Sequence, residues 1–115
     1  MIIETENAEY GITLKLKGEL DANTAIPVDE KLNALIDDGA INILVDGKDL
    51  EYISSAGIGV FIAHLEDINA NNGNIVFYDI NSSVRNVLEM LGIDQIIHIC
   101  KDLEDAKTLL FERKA

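Results

Sequence analysis

The chain of 115 residues is 48% hydrophobic and carries a formal net charge of −12 at pH 7, which suits one globular domain over residues 1–115 with a buried core. A surface so acidic repels phosphate backbones and anionic lipids, so we expect binding neither to nucleic acid nor to membranes. No apolar stretch reaches the roughly twenty residues of a membrane span, no signal peptide is recognisable, and the single cysteine, Cys100, fits a core position in a cytoplasmic protein.

The first third of the chain predicts two strands and a helix. Residues 2–6 and 10–18 are the strands, and the second alternates between apolar and polar side chains, as a strand with one buried face does. The following segment changes to helical spacing, with Asn23 or Thr24 as the N-cap and Gly39 as the terminator. Its apolar stripe is predicted to comprise Ile26, Leu32, Leu35 and Ile36.

The remainder of the chain predicts strands that alternate with helices. In chain order they are a buried strand over 41–46, a helix from about 56 to 71, a strand over 74–80, a helix capped by Asn81, a strand over 95–100 and a helix capped by Asp102. The residues expected to face inward are Ile58, Phe61, Ile62, Leu65 and Ile68 in the first of these helices, and Val84, Val87, Leu88 and Leu91 in the second. The order β-β-α-β-α-β-α-β-α predicts an α/β fold, with helices packed on a mixed sheet.

The segment 49–61, DLEYISSAGIGVF, places two hydroxyls and two glycines where a helix should begin. It matches neither the dinucleotide-binding fingerprint, which needs a third glycine at position 62, nor the P-loop, which needs a following Gly-Lys-Ser/Thr. It is also no nucleophile elbow, since neither serine has a glycine two residues before it. His64 and His98 are expected to be structural, and no spacing of ligands or paired carboxylates indicates a metal site, a cofactor or an enzyme.

Two interpretations of Ser54 and Ser55 stay open on these residues alone. In the first, one serine is only the N-cap of a helix, and Gly57 and Gly59 allow close packing. In the second, a serine at an exposed helix start accepts a phosphate from another protein. The helix would tolerate that phosphate, while the charge of the surface would change sharply.

Three separated stretches resemble one known family. DLEYISSAGIG (49–59) resembles the signature of STAS domains, which are shared by bacterial anti-sigma factor antagonists and the cytoplasmic tails of sulfate transporters. GELDANTA (18–25) is similar to the family element before the first helix, and the stretch over 81–106 resembles its C-terminal part. The resemblance implies the STAS fold and the stand-alone antagonist type, in which partners are exchanged under the control of phosphorylation.

The family's partners and site residues follow from this resemblance. An unphosphorylated antagonist binds an anti-sigma factor, which is a serine kinase of the histidine-kinase-like ATPase fold, and phosphorylation by that kinase releases it until a PP2C-type phosphatase resets the switch. The phosphoacceptor implied is Ser55, with Ser54, which stands in place of the family's aspartate, as the other candidate. The partner-binding residues implied are Asp21, Asn23, Thr24, Ser54, Ala56, Gly57, Ile58 and Gly59.

The same resemblance leaves a second function open. The chain could instead be a structural or adaptor STAS subunit of a transport complex, such as one that moves lipids, in which the serine only caps a helix. In either case we expect no cofactor, no catalytic residue and no metal, and we expect a monomer when the protein is free.

Overall fold

The chain opens with an antiparallel pair of strands, β1 (Ile2–Ala8) and β2 (Gly11–Leu20). The computed structural model describes residues 1–114, and both predicted strands are present, each ending two residues later than predicted. Alternation along β2 buries Leu14 and Leu16 on one face of the sheet and leaves lysines on the other. The pattern that predicted the strand therefore also decides which face of the sheet is covered.

Lysines and glutamates line the other face of the β1–β2 pair. Lys15 Nζ lies 3.1 Å from the carboxylate of Glu6, and Lys17 Nζ lies 2.8 Å from that of Glu4. All four side chains are more than a third exposed, and exposed pairs of this kind contribute at most about 1 kcal/mol each. This end of the sheet is therefore charged and open to solvent on one face.

Three parallel strands extend the sheet beyond β2. They are β3 (Asn42–Asp46), β5 (Asn74–Tyr78) and β6 (His98–Cys100), and the order across the sheet is β1-β2-β3-β5-β6. The helices that follow the strands are α1 (Ala25–Asp37), α2 (Ser55–Ala70), α3 (Ser82–Met90) and α4 (Leu103–Lys114). The predicted α/β class with a mixed sheet is confirmed.

The structure adds one strand that the predicted order lacks, β4 (Leu50–Ile53). It pairs in parallel with residues 18–20 of β2, beyond the point where β3 stops pairing with that strand. Only Leu50 and Ile53 are buried in it. Two buried residues three positions apart do not show the two-residue alternation of a half-buried strand, so the local pattern does not predict β4.

Successive residues of the central strands pack alternately into two hydrophobic cores on opposite faces of the sheet. The larger core lies under α1, α2 and α3, and includes Leu14, Ile43 and Phe77. The smaller lies under α4 and includes Val76 and Leu110. Both faces of the central strands are therefore covered, as the apolar run in β3 predicted.

Four details of the predicted helices and strands are wrong. Ile26 is 61% exposed, because α1 buries Ala25, Val28 and Leu32 instead, and residue 26 lies about 100° round the helix from residue 25. The other three are the exposed Ile62, the exposed Leu91, which lies beyond the last helical residue of α3, and the late start of β6.

Two of these errors, the exposed Leu91 and the late start of β6, share a local cause. Gly92 has φ +73°, a left-handed conformation that ends α3, and residues Ile93–Gln95 then form one turn of 3-10 helix. Strand pairing therefore begins only at His98 rather than at residue 95. The caps predicted for α3 and α4 are present, since the side chains of Asn81 and Asp102 accept hydrogen bonds from backbone N–H groups three residues ahead.

Candidate functional site

Two segments of the chain leave the sheet side by side at the carboxyl end of β2. Leu20 of β2 pairs with Ile53 of β4 in the last position of their parallel register. The Ser54 N–H then donates to the Leu20 carbonyl at 2.9 Å. The loop that begins with Asp21 and the start of α2 are therefore neighbours at the carboxyl end of these strands.

Ser54 is the N-cap of α2. Its backbone is extended, with φ −98° and ψ 169°, and its Oγ accepts a hydrogen bond from the Gly57 N–H at 3.2 Å. Its carbonyl accepts the first intrahelical bond, from the Ile58 N–H at 3.0 Å. A cap of this kind stabilises a helix by about 1 kcal/mol, so the hydroxyl of Ser54 already has a structural task.

Ser55 is the first helical residue and is exposed, as is Ala56 after it. Within the described part of the chain, neither the Ser55 hydroxyl nor the N–H groups of these two residues form a hydrogen bond. The first-turn N–H groups of a helix carry a partial positive charge. The arrangement thus presents a primary alcohol and two unused donors on the same exposed turn.

The loop that follows β2 is held by its own side chains. Asp21 Oδ1 accepts hydrogen bonds from the N–H groups of Asn23 at 2.9 Å and Thr24 at 3.0 Å. The bond from Thr24 is the main reason that the pKa of the Asp21 carboxyl lies below its ordinary value. Thr24 occupies the N-cap position of α1, but its Oγ1 donates to the Glu19 carbonyl at 2.8 Å instead of capping the helix. This loop therefore has one defined shape beside the start of α2.

The two glycines of α2 differ in what surrounds them. A Cβ at Gly57 would lie 2.6 Å from Leu20 Cγ and 3.1 Å from the Leu20 carbonyl oxygen, so this glycine lets the helix start pack against β2. A Cβ at Gly59 would meet nothing within 4 Å. Close packing, the first interpretation of both glycines, therefore explains Gly57 and leaves Gly59 unexplained within this chain.

Some of the residues predicted at the site are exposed, and others are buried directly beneath them. Ser55, Ala56, Gly59 and Asn23 are exposed, and side chains of this size leave the start of α2 nearly flat. Gly57 and Ile58 are buried, the latter in the larger core. These two residues support the surface from beneath and are almost fully covered by the rest of the chain.

Two exposed apolar side chains that are not among the predicted site residues flank this surface. Tyr52 is 49% exposed on β4, two residues before Ser54, and Ile26 is exposed in the first turn of α1, directly after the Asp21 loop. Tyr52 lies opposite the exposed Glu19 in the strand pairing. The feature that identifies Tyr52 is its pairing with Glu19, which the sequence alone does not show, because β4 is defined only by its contact with β2.

The two histidines lie away from this surface. His64 is buried, and its Nε2 lies 2.7 Å from Asp29 Oδ1, so it links α2 to α1. His98 is half-buried on β6, at the other side of the sheet. Cys100 packs against the smaller core, and burial raises the pKa of its thiol. Among the side chains that the structure describes, no group of three could hold a metal ion, and none of the described helices is long and apolar enough to cross a membrane.

One protein-family model matches nearly the whole chain. It is the model that describes the STAS domain, and it matches residues 2–106. This chain belongs to the STAS domain family. Among curated relatives, the STAS domain is 26% identical over 102 residues to an anti-sigma-B factor antagonist of Staphylococcus aureus, covering 89% of this chain and 94% of that protein.

Solved structures agree with this assignment at the level of the fold. An anti-sigma factor antagonist from Mycobacterium paratuberculosis superposes with a TM-score of 0.86 at 20% identity, over 95% of this STAS domain and 92% of that chain. The Bacillus cell fate determinant SpoIIAA superposes in its unphosphorylated form with a TM-score of 0.79 at 20% identity, over 94% and 96% of the two chains. Its phosphorylated form gives 0.71 at 19% identity, over 94% and 99%.

Proposed function

We propose that this STAS domain is an anti-sigma factor antagonist whose binding to its partner is controlled by phosphorylation of Ser55. The observation that carries the proposal is the exposed first turn of α2, where Ser55 has a free hydroxyl beside two unused N–H donors. The proposal is supported by curated relatives that are named anti-sigma-B factor antagonists. It is also supported by a fold shared with SpoIIAA, whose structure is known in both phosphorylation states.

Ser55 is a better acceptor than Ser54 because the two hydroxyls have different surroundings. Ser54 is half-buried and its Oγ holds the Gly57 N–H, so a kinase would have to displace that bond. Ser55 needs no rearrangement, and a phosphate on its Oγ would lie near the free N–H groups of the helix start. Anions bind favourably at such positions.

The flat surface makes the phosphate an effective switch. Ala56 and Gly59 let a partner approach the helix closely, so the partner would cover Ser55. A phosphoserine carries close to two negative charges at pH 7. Burying that charge without compensation costs several kcal/mol, and a loss of about 4 kcal/mol weakens binding roughly a thousandfold.

The charge around the surface indicates the chemistry of the partner. Glu19 and Glu51 are exposed on the strands that lead into the site, and the net charge of the chain is −12. A partner with basic residues at its rim fits this surface and would associate faster at low salt. Within the proposal, that partner is the anti-sigma factor serine kinase, a PP2C-type phosphatase removes the phosphate, and the STAS domain itself catalyses nothing.

Intact mass after incubation with ATP and anti-sigma factor kinases of the histidine-kinase-like fold tests the proposal. The wild type and Ser54→Ala should each gain one phosphate, and Ser55→Ala should gain none while still folding and binding the kinase. Ser55→Asp should fold and bind weakly. Peptide mapping that places the phosphate on Ser54, or full phosphorylation of Ser55→Ala, would contradict the assignment.

The contribution of the Asp21 loop needs a substitution that preserves the loop. Asp21→Asn keeps the Oδ1 acceptor for the Asn23 and Thr24 N–H groups and removes only the charge. If Asp21 borders the partner, this variant should associate with the kinase more slowly, with the circular dichroism spectrum of the folded wild type at neutral pH. If no kinase of this fold binds or modifies the wild type, the adaptor function in a transport complex becomes the better explanation.

A further inference from the structure

A cleft of about 420 Å³ opens between the last turns of α2 and the segment that leads into β6. Its volume lies in the range of pockets that bind small molecules. Asn69, which lines it, is fourteen residues after Ser55 in the same helix, which places the two residues about 20 Å apart along the helix axis. The cleft is therefore separate from the proposed partner-binding surface.

The polar lining of this cleft is uncharged, although the chain as a whole is strongly acidic. The lining has no Asp, Glu, Lys or Arg side chain among the described residues, and its polar members are Asn69, Asn72, Asn74, Gln95 and His98. A carboxamide offers both donors and an acceptor at one position. Four carboxamides around one cleft are suited to a ligand that carries both kinds of group and no net charge.

Asn74 is the most deeply buried polar residue of the lining. It is 94% buried (6% exposed), and its Nδ2 donates to Asn42 Oδ1 at 3.2 Å across the β3–β5 pair. This bond fixes one carboxamide of the lining, whereas Asn69, Asn72 and Gln95 are exposed and open to a ligand.

The floor of the cleft is rigid. Asn72 has φ +61°, and the Gly73 N–H donates to the Ile68 carbonyl at 2.9 Å. A Cβ at Gly73 would overlap the Ile41 carbonyl, so the turn packs directly on the neighbouring backbone. The backbone of this turn is thus held in place before any ligand arrives, which limits the entropy that binding would cost.

The electrostatics of the cleft disfavour anionic ligands. The C-terminal end of α2 borders the cleft and carries a partial negative charge. No cationic side chain of the described residues lines it, and the whole chain is acidic. Phosphorylated or carboxylated molecules are therefore disfavoured. Leu65, Ile75 and Ile96 add aliphatic contact surface beside the polar groups.

We propose that this cleft binds an uncharged, hydroxyl-rich small molecule of the size of a monosaccharide. Hydroxyl groups can donate to the carboxamide oxygens of the lining and accept from its carboxamide N–H groups. Efficiency limits for small ligands give a Kd of about 1 mM for a molecule of that size. The proposal does not depend on Ser55, and a Ser55→Ala protein should bind the same ligand equally well.

Nitrogen-15 NMR of the whole chain tests the proposal, because the NH₂ signals of the side-chain amides in the cleft shift when a ligand binds beside them. Titration with glucose, ribose and myo-inositol should shift the NH₂ signals of Asn69, Asn72, Asn74 and Gln95, with at least one of the three probes saturating. Glucose 6-phosphate should bind at least about tenfold more weakly than glucose. The absence of any saturable shift with the neutral probes would overturn the proposal, as would equal or tighter binding of the phosphorylated sugar.

Two variants separate the cleft from general surface effects. Asn72→Gly suits the left-handed backbone there, and Gln95 is exposed, so Asn72→Gly and Gln95→Ala remove carboxamides at little cost to folding. Together they should weaken the best neutral probe about tenfold. The control is Asn33→Ala, at an exposed position of α1. Unchanged affinity in the double variant, or an equal loss in the control, would contradict the site.

Discussion

The two glycines of α2 provide a matched pair of substitutions with opposite expected effects on folding. In Gly57→Ala the new methyl group would lie 2.6 Å from Leu20 Cγ and 3.1 Å from the Leu20 carbonyl oxygen. Leu20 is fully buried and its carbonyl accepts the Ser54 N–H, so neither atom can move away freely. In Gly59→Ala the methyl group would enter open space.

The expected magnitudes follow from these surroundings. Alanine is favoured over glycine inside a helix by about 1 kcal/mol, so Gly59→Ala should raise the free energy of unfolding by up to that amount. Gly57→Ala has the same intrinsic gain but must overcome overpacking, which costs about 1–3 kcal/mol in a tight core. Its net effect should therefore be a loss of about 1 kcal/mol, and the two variants should differ by about 2 kcal/mol.

Urea denaturation followed by circular dichroism measures both values in one experiment. Equal stabilities for the two variants would refute the view that α2 starts in direct contact with β2. The same pair also separates folding from binding. Gly59→Ala should be the more stable protein and yet bind the kinase more weakly, because its methyl group stands on the surface proposed to meet the partner.

Three further predictions concern side chains that hold the fold around the site. Asp29→Ala should lower the free energy of unfolding by about 1 kcal/mol or more, because the buried His64 Nε2 loses its partner, whereas Glu30→Ala on the same helix should stay within about 0.5 kcal/mol of wild type. Asn81→Ala removes both the cap of α3 and the bond from Nδ2 to the Leu50 carbonyl, so urea denaturation should show a loss of about 1–2 kcal/mol, with Ser83→Ala as the near-neutral control. The pKa of Asp21 is lower in the folded protein than in the unfolded chain, so its charged carboxylate stabilises the fold above the unfolded pKa of about 4. That stabilisation is lost as the pH falls through the lower folded pKa. The free energy of unfolding of Asp21→Asn should therefore depend less steeply on pH in acid than that of the wild type. A wild type and an Asp21→Asn variant with parallel acid profiles would disprove that link.

The sequence predicted the elements whose periodicity extends over several turns or alternations. β2, β3 and the buried residues Phe61 and Ile68 of α2 are examples, since their apolar spacing has one structural solution. It could not predict β4, because that strand exists only through its pairing with residues 18–20 of β2, far away in sequence.

The candidate site divides in the same way. Ser54 as the cap and an exposed Ser55 at the helix start follow from local rules and are present in the structure. The difference between Gly57 and Gly59 depends on where Leu20 lies, which only the tertiary structure determines. The polar cleft was missed for a related reason, because the residues of the turn Asn71–Asn74 are typical of any turn and give no local sign of what they face.

The charged face of the β1–β2 pair has a consequence for how the protein behaves in concentrated solution. β1 is the edge strand of the sheet, and edge strands can recruit a second copy of the same chain through their free backbone groups. If two β1 strands met antiparallel about Thr5, Glu4 of each would lie opposite Glu6 of the other, and parallel strands in register would place each glutamate beside its own copy. Both arrangements bring like charges together. Glu4 and Glu6, whose ion pairs add little to folding stability, thus protect the open edge of the sheet from fibril-like growth, and this protection should weaken in acid or at high salt.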